Sequence, residues 1–305
     1  MSKRDFLSLA PLSPKDLDWL MIRAGEYKND FVLLRPLENQ VIGLFFEKSS
    51  TRTRVSFEVA IKRLGGHPLF LSANDIQVKR GETIADTARV LSAYLDGLVI
   101  RTFDQQDLET WASNASIPVI NGLTDLLHPC QILTDLFTIY QQRGSLKGLK
   151  LAYIGDGNNI AHSLLIGGAK TGMHVVVASP KTRQPDKAIV AEAEAFAAES
   201  EAVISIETDP EKAAEDADIL YTDVWVSMGD EGKKASLMKK LKPYQINEAL
   251  LAKAKSDCLV MHCLPAHRGE EITEAVMEGP NSVIFEQAAN RLPVQQAILE
   301  LVLTQ

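Results

Sequence analysis

Between Phe45 and Arg54 the sequence reads Phe-Phe-Glu-Lys-Ser-Ser-Thr-Arg-Thr-Arg. An apolar run, Val41 to Phe46, ends there. A helical pattern follows, with Phe57, Ile61 and Leu64 on one face and Gly65-Gly66 closing it. Hydroxyl side chains at a strand-to-helix junction cap the helix and leave backbone N–H groups pointing outward. Together with the helix dipole those groups make an anion site. Arg52 and Arg54 add charge and bidentate donors suited to phosphate oxygens. The stretch lacks the G-x-x-x-x-G-K-[ST] pattern, which argues against a nucleoside triphosphate. The plainer reading is an N-cap followed by two solvated arginines, and the stretch by itself leaves both open.

Other groups invite weaker readings. Gly155-Asp156-Gly157-Asn158-Asn159 follows a strand and begins like a dinucleotide fingerprint, but the third glycine is replaced by Ile160. An oxidoreductase is the rival reading that this half-match raises. His262 and His267 suggest a metal, yet no spacing of carboxylates or cysteines completes a ligand set, so none is expected. Cys263 alone reads as a small buried hydrophobe, and Asp223 as a cap for the segment after its strand.

These residues need a scaffold, and 305 residues suggest two domains. Short apolar runs alternate with amphipathic ones. In the first half, strands are expected at Val41 to Phe46, Leu98 to Arg101 and Pro118 to Asn121. Helices are expected around Ile84, Ala88, Leu91 and Leu95, and from Gln131 to Gln142. In the second half, Leu151 to Ile154, Val175 to Ala178, Val203 to Ile206, Ile219 to Tyr221 and Leu259 to Met261 read as strands, with Ala188 to Ser200 among the helices between them. This alternation implies α/β architecture, two doubly wound parallel-sheet domains with right-handed crossovers. The expected division is 1–147 and 148–286, with a final helix, about 287–305, packing back on the first domain. Ser227 to Lys242 is polar, rich in Gly and Lys, and reads as a long mobile loop of the kind used as a lid.

The bulk numbers bound the partners. The formal net charge is −8, against non-specific nucleic-acid binding. A local arginine cluster can still attract an anion. No run approaches the ~20 apolar residues of a membrane span, and the N-terminus carries no targeting pattern. Three cysteines without a Cys-x-x-Cys suit a reducing compartment, so the expected location is the cytoplasm.

Four stretches in order and spacing carry a resemblance: Ser50-Thr51-Arg52-Thr53-Arg54, Ile100-Arg101-Thr102, His128-Pro129-Cys130-Gln131 and Asn290-Arg291-Leu292. They resemble the aspartate and ornithine carbamoyltransferases. Asp223-Val224-Trp225-Val226-Ser227-Met228-Gly229 and His262-Cys263-Leu264-Pro265 resemble the ornithine branch. The resemblance implies two α/β domains with the active site between them. It implies carbamoyl transfer from carbamoyl phosphate to the side-chain amine of L-ornithine, without metal or organic cofactor. By motif, Ser50, Thr51, Arg52 and Thr53 hold the phosphate. Arg101, His128 and Thr53 reach the carbonyl, and Gln131 holds the carbamoyl NH₂. Gln77, Pro129, Cys130, Cys263, Leu264 and Arg291 complete the carbamoyl phosphate set. Asn159 takes the ornithine carboxylate and Asp223 its α-ammonium, helped by Ser227 and Met228. Cys263 and the Leu264 carbonyl position the δ-amine, so Arg101, His128 and Cys263 are the expected catalytic residues. A homotrimer with shared sites is implied, Gln77 reaching into a neighbour.

Overall fold

The structure is a computed structural model that describes residues 3–30, 35–72, 78, 81–226, 232 and 234–304. The chain forms two compact units. One comprises Met1–Phe137 and Asn290–Gln305, the other Thr138–Ala289.

The first unit is built on a four-stranded parallel sheet of β1 (Val41–Phe46), β2 (His67–Ser72), β3 (Gly97–Arg101) and β4 (Val119–Leu123) in the order β2-β1-β3-β4. Helices α1 (Pro14–Lys28), α2 (Thr51–Arg63), α3 (Ile84–Leu91) and α4 (Gln105–Asn114) connect or flank the strands, and α5 (Pro129–Arg143) leaves the sheet. Phe45, Leu98, Ile100, Leu108, Trp111 and Val119 form its core, Phe45 and Trp111 with ring centroids 5.2 Å apart.

The second unit has five parallel strands: β5 (Lys150–Ile154), β6 (His174–Ala178), β7 (Ile204–Glu207), β8 (Ile219–Thr222) and β9 (Leu259–His262). Their order is β7-β6-β5-β8-β9. Helices α6 (Asn159–Thr171), α7 (Lys187–Ser200), α8 (Pro210–Ala214), α9 (Lys234–Leu241), α10 (Glu248–Leu251) and α11 (Glu274–Met277) accompany them. The last helix, α12 (Ile284–Leu303), begins in the second unit and ends in the first. No helix among the described residues is long and apolar enough to cross a membrane.

The expected parallel α/β plan is therefore the observed one, with shifts at element ends and a few larger departures. β2 is a strand that hydrophobic runs do not announce, because its side chains lie exposed or half-buried. The helix expected to include Leu95 ends at Leu91, and a turn carries Leu95 into the core. The expected mobile loop from Ser227 to Lys242 needs correction. Residues 227–231 and 233 lie outside the described residues, but Lys234–Leu241 is helix, held by the buried pair Leu237 and Leu241 at i,i+4 spacing.

In both sheets the order reverses once. β1 has β2 on one side and β3 on the other; β5 has β6 on one side and β8 on the other. At such a switch point successive loops leave a doubly wound sheet in opposite directions, opening a crevice at the carboxyl ends of the strands. The residues following β1 and ending β3, and those following β5 and β8, are thereby placed for binding.

α12 carries Arg291 and is fastened to α1 by Glu300. Arg23 Nε and NH2 each lie 2.6 Å from the Glu300 carboxylate, and the Tyr27 hydroxyl donates to the same group at 2.5 Å. The pair is mostly buried, and removing one partner of such a pair leaves the other desolvated. We expect Glu300→Ala to destabilise the first unit by about 3–5 kcal/mol, read as a lowered urea midpoint, and Glu300→Gln, which keeps the shape, to cost less.

Candidate active site

The first half of the site sits at the β1/β3 switch point. Ser50 is extended and accepts the Thr53 N–H on its hydroxyl at 3.2 Å, capping α2 as expected. Thr51 and Arg52 stand exposed in the first turn, while Thr53 points inward and is buried. Arg101, the last residue of β3, donates to Thr53 Oγ1 at 3.4 Å. Arg291 NH2 donates to the same oxygen at 3.1 Å, and its NH1 donates to Gln131 Oε1. Gln131 in turn donates through Nε2 to Asp135 Oδ1 at 2.8 Å, which fixes the direction of its amide. Four residues expected from separate motifs thus form one connected network. All four are buried.

His128 lies next to this network at the entrance to α5. Its imidazole is held well below the ordinary histidine range, first by burial and then by the charges of Arg291 and Arg101. It is neutral at physiological pH, so it serves as a neutral hydrogen-bonding group. Cys130 follows two residues on and is buried. Its thiol donates to the Asn121 carbonyl at 3.2 Å, and burial pushes it up to about 12. Pro129 supplies the first turn of α5, where a missing N–H costs nothing.

The motif's Lys48 has a role that sequence reading did not assign. It is buried, lies 4.2 Å from the centroid of the Phe103 ring and forms an ion pair with Asp125. Glu47 accepts from the Thr102 hydroxyl and donates its N–H to the Arg101 carbonyl at 2.9 Å. The loops after β1, β3 and β4 are thus tied together behind Arg101 and His128. A cavity of about 550 Å³ opens beside this turn, lined by Phe46, Lys48, Ser50, Arg54, Phe70 and Ser72 among others.

The second half sits at the β5/β8 switch point. Asp223 follows β8 and is buried. Its Oδ1 accepts from Cys263 Sγ at 2.9 Å and from the Val224 N–H at 2.8 Å, and its Oδ2 accepts from Asn158 Nδ2 at 2.8 Å. Asn158 Oδ1 caps α6, accepting from Ile160 and Ala161. The motif points to Asn159. The residue tied to Asp223 is its neighbour Asn158, and Asn159 starts the helix beside it. The buried Tyr153 phenol is pushed well up, by burial first and then by Asp223, Asp156 and Cys263. Ser227, Met228 and Gln77 lie outside the described residues.

After β9, the Leu264 N–H donates to His262 Nδ1 at 2.8 Å. That nitrogen is therefore the acceptor, and Nε2 faces Glu271 Oε1 at 3.2 Å. Leu264 adopts φ +58, a conformation rare for a side chain of its kind, and this bond holds it.

Among the described residues, two groups of potential metal donors do converge, contrary to the spacing argument: Asp223 with His262 and Cys263, and His267 with Glu270 and Glu271. In the first, both His262 nitrogens are already committed. In the second, Lys234 lies 3.5 Å from Glu270 and counters its charge. The dinucleotide reading fails on geometry: a Cβ at Gly157 would lie 2.4–2.5 Å from the backbone of Arg183, Gln184 and Pro185, so this glycine serves chain packing.

The carbamoyl phosphate-binding domain of the aspartate/ornithine carbamoyltransferases matches residues 4–141, and their Asp/Orn-binding domain matches residues 147–302. The chain belongs to the aspartate/ornithine carbamoyltransferase family. It is 54% identical over 299 residues to the ornithine carbamoyltransferase of Oceanobacillus iheyensis, covering 97% of this chain and 93% of that protein. It is 49% identical over 301 residues to that of Bacillus subtilis, covering 98% and 94%. Among solved structures, the ornithine carbamoyltransferase of Pyrococcus furiosus matches with a TM-score of 0.96 at 49% identity, covering 99% of this chain and 97% of that one.

Within this carbamoyltransferase fold the neutral state of His128 has a consequence for stability. The unfolded chain takes a proton on His128 near pH 6.5, whereas the folded chain, with its lowered pKa, does not. Stability contributed by this position is intact above that pH and declines as pH falls through it. Between pH 7.5 and 5.5 the native protein should lose up to about 1.4 kcal/mol more than His128→Gln. Urea unfolding of both proteins at the two pH values measures the difference.

Proposed function

We infer that the chain transfers the carbamoyl group of carbamoyl phosphate to the side-chain amine of L-ornithine, giving L-citrulline and phosphate in arginine metabolism. The observation that carries this reading is the convergence of Arg101 and Arg291 on Thr53 beside neutral His128. Two cations held this close favour an anion, and the neutral imidazole favours a polar carbonyl over another charge. The matched ornithine carbamoyltransferases support the acceptor.

The chemistry rests on the groups present. The N-terminus of α2, with Ser50, Thr51, Arg52 and Thr53, binds the phosphate. Arg101, His128 and Thr53 aim donors at the carbamoyl oxygen, where negative charge builds as the amine attacks. Each such donor contributes about 2.7–4 kcal/mol to the transition state. Gln131 Oε1 accepts from Arg291 and has a second lone pair for the carbamoyl NH₂. Asp223 receives the α-ammonium, Asn159 with Asn158 beside it the carboxylate, and Ser227 and Met228 complete that end. Cys263 and the Leu264 carbonyl orient the δ-amine. The phosphate leaves as the C–N bond forms and takes up the proton. No cofactor enters these steps.

A homotrimer with sites shared between neighbouring chains completes the proposal. The first unit exposes Val55, Leu69, Val90 and Tyr94, apolar area that an interface would cover. Two buried thiols and one half-buried thiol, none in a disulfide, support a cytoplasmic location.

Arg52→Ala should raise the KM for carbamoyl phosphate, and Asp223→Asn that for ornithine, each by roughly tenfold or more, as expected for losing a contact worth about 1.5–3 kcal/mol. Separate saturation curves measure both, and an unchanged carbamoyl phosphate curve for Arg52→Ala would remove the anion site. Because His128 stays neutral, the rise of rate from neutrality to about pH 9 should belong to the attacking amine, whose solution pKa is roughly 10.

Sharing of sites is tested by complementation. Gln77→Ala spoils the neighbour's site, and Arg291→Ala spoils its own. Dissociating and reassembling equal amounts of the two should restore roughly a quarter of the sites by the combinatorics of a threefold ring. Exchange confirmed by mass with no recovered activity would place the whole site within one chain.

A further inference from the structure

We propose that Arg183 is a positioning residue for the amino-acid half of the site, clamping the turn that carries Asn158 and Asn159 and thereby setting the geometry of Asp223. The proposal rests on reading this half as the ornithine-binding one. Arg183 belongs to a short turn after β6, more than twenty residues beyond the motif, and its spacing from any expected site residue gives no hint of a role.

The contacts run in one direct line. Arg183 grips Asp156 with both arms of its guanidinium, Nε at 2.7 Å and NH2 on the other carboxylate oxygen. The Asp156 side chain is almost wholly buried, whereas Arg183 retains some exposure. Their backbones are joined as well. The Gly157 N–H donates to the Arg183 carbonyl at 2.8 Å, and Gly157 lies so close to residues 183–185 that no side chain fits there. A third tie comes one turn on, where the Asp186 N–H donates to His162 Nε2 at 2.9 Å. The Asp156 carbonyl accepts the Asn158 N–H at 2.8 Å, and Asn158 holds Asp223. A displacement of Asp156 therefore moves Asn158, and with it the carboxylate intended for the α-ammonium.

Charge adds to geometry. Asp156 and Asp223 both act on Tyr153, so the two carboxylates share one buried neighbourhood. Arg183 balances Asp156 and leaves Asp223 as the carboxylate available to the substrate cation. A bidentate guanidinium fixes both distance and plane, which a lysine ammonium does not.

The test uses steady-state kinetics of the full-length enzyme, varying each substrate against saturating amounts of the other. Arg183→Ala should lower kcat/KM for ornithine by roughly tenfold to a hundredfold, the scale expected when binding groups shift by about 1 Å. The KM for carbamoyl phosphate should stay within about twofold of wild type. Arg183→Lys should recover part of the loss, because it restores charge without the fork. If Arg183→Ala does not fold, Arg183→Gln takes its place in the same comparison. Asp223→Asn is run alongside. Should Asp223→Asn leave ornithine use intact, the reading of this half as the ornithine site fails, whatever Arg183 does. Should Asp223→Asn impair ornithine use while the Arg183 variants stay within about twofold of wild type, the positioning role is overturned. Equal losses for both substrates, with no recovery in the lysine variant, overturn it too and leave Arg183 a general stabiliser.

Discussion

The first unit depends on keeping two guanidiniums together out of water. Arg101 arrives at the end of a strand and Arg291 along the last helix, and both donate to one threonine hydroxyl. Desolvating two like charges is costly, so the surrounding structure must hold them. Gln131 is oriented by Asp135 to accept from Arg291. Lys48 and Glu47 bind the three strand-end loops, and Glu300 fastens the helix that carries Arg291. A preorganised cation pair of this kind does not have to reorganise when charge develops on a substrate, which is where electrostatic catalysis gains most.

The second unit uses the same topological position with the opposite sign. The two buried reporters shift for opposite electrostatic reasons. Burial comes first for both; after it, Arg291 and Arg101 oppose a proton on His128, while Asp223 and Asp156 favour one on Tyr153. One unit thus favours an anion and the other a cation. The reaction inferred for the chain needs both, a phosphate-bearing donor and an amino-acid acceptor with an α-ammonium. Two sheets whose strand order reverses once each provide two crevices, and the chain places one sign of charge in each.

Much of this was legible in the sequence, for reasons that also explain what was not. Buried parallel strands such as β3 and β5 are continuous apolar runs, and Ser50 capping α2 is a local event between residues three apart. Arg101, His128, Gln131 and Arg291 were marked by family motifs. β2 was hidden because it buries little, and α9 because its polar composition masks two anchoring leucines. The ties of Arg183 to Asp156, of Glu271 to His262 and of Lys48 to Asp125 join residues distant in sequence, and only the folded chain brings them together. The motif marks Asn159 as a ligand, and its neighbour Asn158 is bonded to Asp223. Both belong to the same motif, and which of them caps the helix is set by backbone geometry that composition does not report.

For the inferred reaction, the amino-acid half faces two demands that conflict. It must hold an α-ammonium, which requires negative potential, and it must deliver a δ-amine without its proton, which negative potential opposes. On that inferred reading, the bonds on Asp223 bear on both demands. Cys263, the Val224 N–H and Asn158 all donate to it. Each donor spreads its charge over fixed local partners and narrows the directions from which a cation can approach. Cys263 meets Asp223 as a hydrogen-bond donor at 2.9 Å. Three fixed donors on one carboxylate lower the negative potential around it, which still favours a nearby cation but opposes deprotonation of a neighbouring amine less than an unshared carboxylate would.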